Sequence, residues 1–367
     1  MLIGVDASRA IARRPTGTET YSRRLIRALL DLKSPHRFRL YIRSAPPSDL
    51  FPGAELRPIP FPRLWTHIRL SWEMVRQPPE VLFVPAHVLP PIHPAKSVVT
   101  IHDLGYLSFP AAHPWRQRLY LHLSTRWNAR AASHILADSE ATRADLIGHY
   151  GTDPDKVTVA YPGADESLHP VRDPAILAAA RARYGISGDY FLYLGTLHPR
   201  KNLRRLIEAF DDFVTHQSTS VSQLVLAGKR GWLCRDLDDE IERRGIHHRI
   251  RFPGYVASED KAALLSGARA FLFPSLHEGF GLPVLEAQAC GCPVITSTTS
   301  SLPEVAGDSA LLVDPRDTAA ISDAMGRLSR EKALREALIE RGFANVTRFS
   351  WHACAETVIR VLQTQLC

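Results

Sequence analysis

The chain has little cysteine, no long apolar run and no repetition, and each shortage excludes something. No apolar stretch approaches the ~18 residues that a membrane-spanning helix needs, so no span is expected. Cysteine occurs only at 234, 290, 292, 354 and 367. The Cys290-Gly291-Cys292 pair has no second Cys/His pair near it at zinc-site spacing, so these thiols read as small buried side chains. No signal-peptide pattern opens the chain, and a reducing cytoplasm is the expected compartment. There is no short-period repeat and no low-complexity tract. No aromatic–basic RNA motif or zinc finger is present, so nucleic acid is not an expected partner.

What is present is ordinary globular material in quantity. The 367 residues, 45% hydrophobic and 23% charged, are enough for about two domains with large cores. The net charge of +7 is uneven. Residues 1–130 carry 19 Lys/Arg against 8 Asp/Glu, and the remainder carries 26 against 30. A basic first half suits an anionic partner, whether a lipid surface or an acidic substrate; the plain alternative is a solvated Arg-rich surface.

The pattern alternates strand and helix throughout. Residues 1–6 read as a buried strand, 7–17 as a polar loop and 18–32 as a helix with Tyr21, Leu25, Ala28 and Leu29 on one face. That is the opening of a Rossmann-like half. Further strands are expected at 38–42, 81–84, 97–101, 134–137 and 157–160. The second half repeats the logic with strands at 190–195, 223–228, 250–252, 270–275 and 293–296, and helices at 203–215, 236–244, 259–266 and from 283. Strands alternating with helices imply parallel sheets covered on both faces. The boundary between halves is expected near 162–173, where Pro, Gly and charge cluster. The last stretch, 351–366, reads as an amphipathic helix with no strand after it.

The densest signal is 276–293, LHEGFGLPVLEAQACGCP. Glu278 and Glu286 stand eight residues apart around Gly279-Phe280-Gly281-Leu282-Pro283, between a buried strand and a helix. One carboxylate then sits on the loop and the other about two turns into the helix. Glycines let backbone N–H groups approach a ligand, and a helix N-terminus favours an anion. The layout suits a phosphorylated sugar held by its hydroxyls.

Several stretches together resemble one family. YLGTLHPRKNLRRLIEAF (193–210), LVLAGKRGW (224–232), RFPGYV (251–256), SLHEGFGLPVLEAQACGCPVITS (275–297) and LPEVAGDSALLVDP (302–315) are similar to the retaining glycosyltransferases of family four. TGTETYSRRL (16–25), SVVTIHDLGYLSFP (97–110), ILADSEATRADL (135–146) and KVTVAYPGAD (156–165) resemble the first domain of the same family. The motifs cover nearly the whole chain in order. The resemblance implies an α/β chain with the GT-B fold, two Rossmann-like domains facing a central cleft. Residues 1–168 would form the acceptor-side domain, completed by the C-terminal helix 350–367, and 169–349 the nucleotide-sugar-binding domain.

The resemblance also implies roles. Lys201 matches the family's phosphate-binding lysine, with Arg200 beside it; the family more often has an Arg where Thr196 stands here, so which guanidinium grips the phosphate stays open. Glu286 would accept the ribose hydroxyls, and Glu278 would hold the hydroxyls of the transferred sugar. Backbone N–H groups of Phe280, Gly281 and Leu282 are candidates for sugar and phosphate, Gly17 for the diphosphate, and Tyr255 and Val256 for the base. Lys229 is a further phosphate candidate, His102 would touch the transferred sugar, and His87 is a weaker candidate. No Asp-x-Asp pair lies on an expected cleft loop, so no metal and no cofactor are expected, the nucleotide-sugar being the substrate.

The expected reaction is transfer of a hexose with retention onto a glycan or lipid-linked acceptor. The PRKN loop leans toward mannose from GDP-mannose, with UDP-glucose or UDP-GlcNAc as the alternative. Rival readings are an epimerase on the same fold and a nucleotide-sugar-binding protein without transferase activity. Two basic amphipathic stretches, 18–32 and 115–130, could lie on an anionic membrane surface, which would make the enzyme peripheral on its inner face. Core packing is the commoner reason for such spacing, and it is the expectation for both.

Overall fold

The computed structural model describes residues 1–12, 17–44, 49–86, 88–110, 113–217, 221–229 and 235–365. The chain forms two compact units, Met1–Gly163 with Phe349–Cys367, and Ala164–Arg348. The first division thus falls ahead of residue 168, and the chain returns to the first unit at its end.

The first unit is built on a parallel sheet of β1 (Leu2–Asp6), β2 (Arg37–Ile42), β3 (Glu55–Pro58), β4 (Val81–Val84), β5 (Ser97–Ile101), β6 (His134–Ala137) and β7 (Val157–Val159). Their order is β3-β2-β1-β4-β5-β6-β7. β4 and β5 are buried along their whole length, as continuous apolar runs in parallel sheets are. The polar β3 was not legible in the sequence. Among the described residues it pairs with β2 alone, through the register Arg39↔Glu55 to Ile42↔Pro58. An edge strand tolerates proline and half-burial, so it carries no apolar run to read.

The helix Gly17–Asp31 buries Tyr21, Leu25, Ile26 and Leu29. Against it lies the last helix, Trp351–Thr364, which buries Trp351, Cys354, Val358 and Leu362 and starts from a Ser350 cap that accepts from the Ala353 N–H. Of the two basic amphipathic stretches, the first is therefore a core helix. The close approach is possible because residue 163 is glycine: a Cβ there would lie 2.2 Å from the Trp351 nitrogen. The second stretch behaves in the opposite way. The helix Trp115–Ala131 turns Trp115, Leu119 and Leu123 outward, so core packing, the expectation for it, is not what the structure shows.

The second unit holds β8 (Asp189–Leu194), β9 (Val221–Ala227), β10 (Ile250–Gly254), β11 (Ala270–Phe273), β12 (Val294–Ser297) and β13 (Leu311–Val313), again all parallel. Their order is β10-β9-β8-β11-β12-β13. Sequence order thus runs outward one way from β8 and then outward the other way from β11. The helix Leu203–His216 packs Leu206, Ile207, Phe210 and Phe213 into the core, with Phe213 edge-on to Phe191 of β8 at 5.4 Å. Cys290, Cys292 and Cys354 are buried free thiols, and burial pushes the Cys290 thiol up to about 12.

Trp351 is 5% exposed and touches Tyr21 edge-on at 5.7 Å. Trp351→Ala should destabilise the first unit by about 3–5 kcal/mol. Urea unfolding should then show an earlier first transition while the transition of the second unit stays put.

Candidate functional site

Open parallel sheets bind ligands where the strand order reverses, because the loops leaving the two strands diverge there and open a crevice at the carboxyl ends. In the second unit that point lies between β8 and β11. The loop after β8 ends in a 3₁₀ turn, Pro199–Lys201, and in Asn202, which takes a left-handed conformation at φ 62° and starts the following helix. Asn202 Nδ2 donates to the carbonyls of Pro274 (3.1 Å) and Pro315 (2.6 Å). The Leu276 N–H donates to the Arg200 carbonyl at 2.9 Å. The loop after β8 is therefore stitched to the loop after β11 by one side-chain amide and one backbone hydrogen bond.

The stitching brings Lys201, Arg200 and Glu278 together. Lys201 Nζ lies 2.5 Å from Glu278 Oε1 and 4.8 Å from the centre of the Phe273 ring. Arg200 Nη2 lies 3.9 Å from Glu278 Oε2. The Glu278 residue is only 7% exposed. Burial pushes its carboxyl up, but the charges of Lys201 and Arg200 outweigh burial and hold it below the ordinary glutamate range. The carboxylate is thus ionised and spoken for, and two cations are held at the switch point.

The segment after Glu278 is fixed by two serines that sequence reasoning did not single out. The Glu278 N–H donates to Ser300 Oγ at 2.9 Å. Ser301 Oγ sits 3.0 Å from the Glu278 carbonyl and 2.6 Å from the Phe280 carbonyl. Phe280 is buried beneath the loop. Gly281 has φ 124°, and a Cβ there would meet the Leu302 side chain at 2.9 Å, so any substitution is strained. Leu282 opens the helix Leu282–Ala289, and in its first turn the Val284 N–H donates to the Gly281 carbonyl at 2.9 Å.

Glu286 lies on that helix, and its Oε1 is 2.5 Å from Lys261 Nζ on the helix Ser258–Ser266. Lys261 was also missed; a single lysine on a helix carries no sequence signal of its own. Tyr255 and Val256 follow β10, with the Tyr255 ring 64% exposed. Lys229 follows β9, exposed, its carbonyl accepting from the Leu197 N–H at 2.9 Å. Strand order places all of them on the same carboxyl edge as the Lys201 loop.

In the first unit, Gly17 is the exposed first residue of its helix, and nothing lies within 4 Å of where a Cβ would be. His102 follows β5. Its Nδ1 is 2.6 Å from Asp138 Oδ2 and its Nε2 is 3.0 Å from the Pro85 carbonyl. Both neighbours can accept, so a doubly protonated ring would donate to each of them. Burial pulls the His102 pKa down, but Asp138 outweighs it and the pKa is raised. Tyr21 packs edge-on to the ring at 4.7 Å. Asp138, at the end of β6, was not picked out in the sequence; its one signal is an acid closing an apolar strand. Asp6 closes β1 in the same way, and burial raises its carboxyl to about 6 despite the hydrogen bond it accepts from Ser8. His87 lies outside the described residues. Among the described residues no cluster of three His, Cys, Asp or Glu could hold a metal.

Residues 180–344 match the family described as glycosyl transferases group 1, and residues 15–168 match glycosyltransferase family 4. The chain is 35% identical, over 265 residues, to the O-antigen chain mannosyltransferase B of Escherichia coli, covering 72% of this chain and 69% of that protein. Sucrose-phosphate synthase from Thermosynechococcus elongatus superposes over 100% of this chain and 99% of its own, with a TM-score of 0.77 and 20% identity. The Anabaena protein HepE, solved with UDP-glucose, covers 99% of both chains with a TM-score of 0.77 and 17% identity. These likenesses over both units show the GT-B fold, two Rossmann-like domains in one chain.

Removing the cation leaves a buried charge. Lys201→Met should cost about 3–5 kcal/mol at neutral pH. Because the Glu278 pKa is lowered on folding, the stabilisation is complete above the ordinary glutamate value of about 4.3 and fades as pH falls through the lowered one. The gap between the wild type and Lys201→Met should therefore close in acid; a gap unchanged from pH 7 to pH 3 in denaturant melts would refute the pairing.

Proposed function

This chain belongs to the glycosyl transferases of group 1, and we propose that it moves a hexose from a nucleotide-sugar to a glycan or lipid-linked acceptor, retaining the anomeric configuration and using no metal. It is an enzyme of the glycosyltransferase class. The observation that carries the finer reading is the Lys201–Arg200–Glu278 cluster at the point where the strand order reverses.

Departure of a nucleoside diphosphate needs positive charge already in place, since charge that must be gathered during the reaction costs reorganisation. Lys201 and Arg200 supply it from a loop whose backbone is fixed, together with the N–H groups at Phe280, Gly281 and Leu282. In a site with these donors the diphosphate's charge is met by protein cations, and a metal has no separate task to perform. Before the donor arrives Glu278 is the counter-ion of Lys201. With the donor bound, Lys201 turns to the phosphate and Glu278 takes hydrogen bonds from the sugar hydroxyls. With Glu278 engaged by the sugar hydroxyls it is not assigned as a nucleophile, and we infer retention by front-face departure, with the leaving phosphate assisting deprotonation of the acceptor.

Glu286 serves the ribose diol, because a carboxylate is acceptor-only and offers two oxygens; Lys261 holds its charge meanwhile. Tyr255 and Val256 serve the base and Lys229 a phosphate. We assign Gly17 to the diphosphate and His102 to the transferred sugar. The mannosyltransferase relative supports mannose as the transferred sugar, and GDP-mannose is the donor we propose. The UDP-glucose complex of HepE favours UDP-glucose as the second reading. The Arg-rich first unit suits an anionic, lipid-linked acceptor at the inner face of the cytoplasmic membrane, and among the described residues no helix is long and apolar enough to cross one.

Thermal shift with GDP-mannose, UDP-glucose, UDP-GlcNAc and ADP-glucose tests the donor. GDP-mannose should raise the melting temperature most, and no shift with any of the four would sink the reading. Charge-assisted hydrogen bonds are worth about 1.5–3 kcal/mol, so Glu286→Ala should weaken donor binding by about 10–150-fold in calorimetry. An unchanged affinity would remove Glu286 from the ribose.

A further inference from the structure

The first unit carries a face that its own core does not explain. A π-helical turn, Trp65–Leu70, runs into the helix Ser71–Arg76, and together they turn Ile68, Trp72 and Val75 to solvent at 51–55% exposure. Leu64 precedes the turn in a left-handed conformation, φ 51°, with 64% of its surface exposed. That is a backbone conformation a residue with a side chain rarely adopts. Beside this element lies the helix Trp115–Ala131, with Trp115, Leu119, Tyr120 and Leu123 between 48% and 64% exposed.

The two elements are continuous. His67 and Tyr120 face each other at 6.3 Å across the seam. The 88–92 segment lies between them, Trp127 Nε1 donating to the Leu89 carbonyl at 3.2 Å and the Ile92 N–H donating to Ser71 Oγ at 3.4 Å. At the seam is a cavity of about 300 Å³, open to solvent, walled by Val88, Leu89, Tyr120, Leu123 and Trp127. Its one polar edge comes from His67 and Ser124.

Charge selects the occupant. The helix Trp115–Ala131 has four arginines and no carboxylate. The Trp65–Arg76 stretch has one acid, Glu73, which is buried and neutralised by Arg57 at 2.8 Å and Arg69 at 3.1 Å. What these elements present outward is therefore apolar and cationic. A second copy of the chain set face to face would bring arginine against arginine. An anionic bilayer meets both properties: tryptophan and leucine enter the acyl boundary, while arginine stems lie along apolar surface and their heads reach the phosphates.

We infer that this face docks on an anionic lipid bilayer, with the Leu64, Trp72 and Trp115 side chains inserted and the Tyr120–Trp127 cavity taking a hydrocarbon chain of a lipid. The inference rests on the glycosyltransfer reading only in making that surface the place where a lipid-linked acceptor is met; docking itself needs no donor. The closing helix of the core and the switch-point loops take no part in it.

The test uses the full chain with vesicles of phosphatidylcholine, with and without phosphatidylglycerol, some carrying acyl chains brominated near the headgroup. Sedimentation should show binding that requires phosphatidylglycerol, is weakened by salt but not abolished, and is accompanied by bromine quenching of tryptophan emission. The double variant Trp115→Ser, Leu119→Ser should bind at least tenfold more weakly. Ser124→Phe, which fills the cavity, should weaken the salt-resistant part several-fold. Both variants should keep the wild-type thermal shift with GDP-mannose, which reports folding and the donor site separately. Binding without quenching, or binding lost entirely to salt, would overturn insertion. A dimer in light scattering that the double variant disperses would overturn the bilayer as occupant. Vesicle binding that holds while every nucleotide-sugar fails to shift melting would leave docking standing and count against the donor reading alone.

Discussion

β8 and β11 lie side by side and run the same way, so the loops that leave them emerge at one edge and part to opposite faces of the sheet. Everything chemical in the second unit hangs on that pairing. Asn202 and the Leu276 N–H lock the two loops into one body, and only then can a lysine and a glutamate from positions 77 apart in sequence lie 2.5 Å from each other. Such a pair would be costly if its partners had to be gathered from mobile segments, since ordering two long side chains opposes their attraction. Here the backbone has already fixed both ends, and the Phe273 ring under Lys201 removes water from one side.

The first unit repeats the device with different chemistry. His102 follows β5 and Asp138 follows β6, again neighbouring parallel strands, and again a basic side chain and a carboxylate meet across two loops. The difference lies in the acceptors. Lys201 lies against Glu278 through an ammonium, which is a rotatable donor. His102 is clasped from both sides, by Asp138 and by the Pro85 carbonyl, so the plane of its ring is fixed.

The outward face of the Trp115–Ala131 helix shows how far pattern alone can mislead. Residues 17–31 and 115–131 both place apolar side chains at helical spacing among arginines. The first buries them because the last helix of the chain comes back to cover it. The second is left uncovered on that side. Spacing says which residues share a face, and it says nothing of what will lie against that face.

The alternation of apolar strands with amphipathic helices was enough to give two parallel sheets, because buried strands are short apolar runs and their period differs from that of helices. The family resemblance marked Lys201, Glu278, Glu286 and Gly281 as candidates; the structure pairs Lys201 with Glu278 and sets Glu286 against Lys261. β3 escaped notice because an edge strand needs no apolar run. Ser300, Ser301, Lys261 and Asp138 escaped because their work is done across the sheet, on residues from other strands. Which cation faces which carboxylate, and which apolar helix face stays in solvent, are settled by strand order and by the return of the C-terminal helix. Both depend on contacts between segments far apart in the chain, and no local run of residues encodes them.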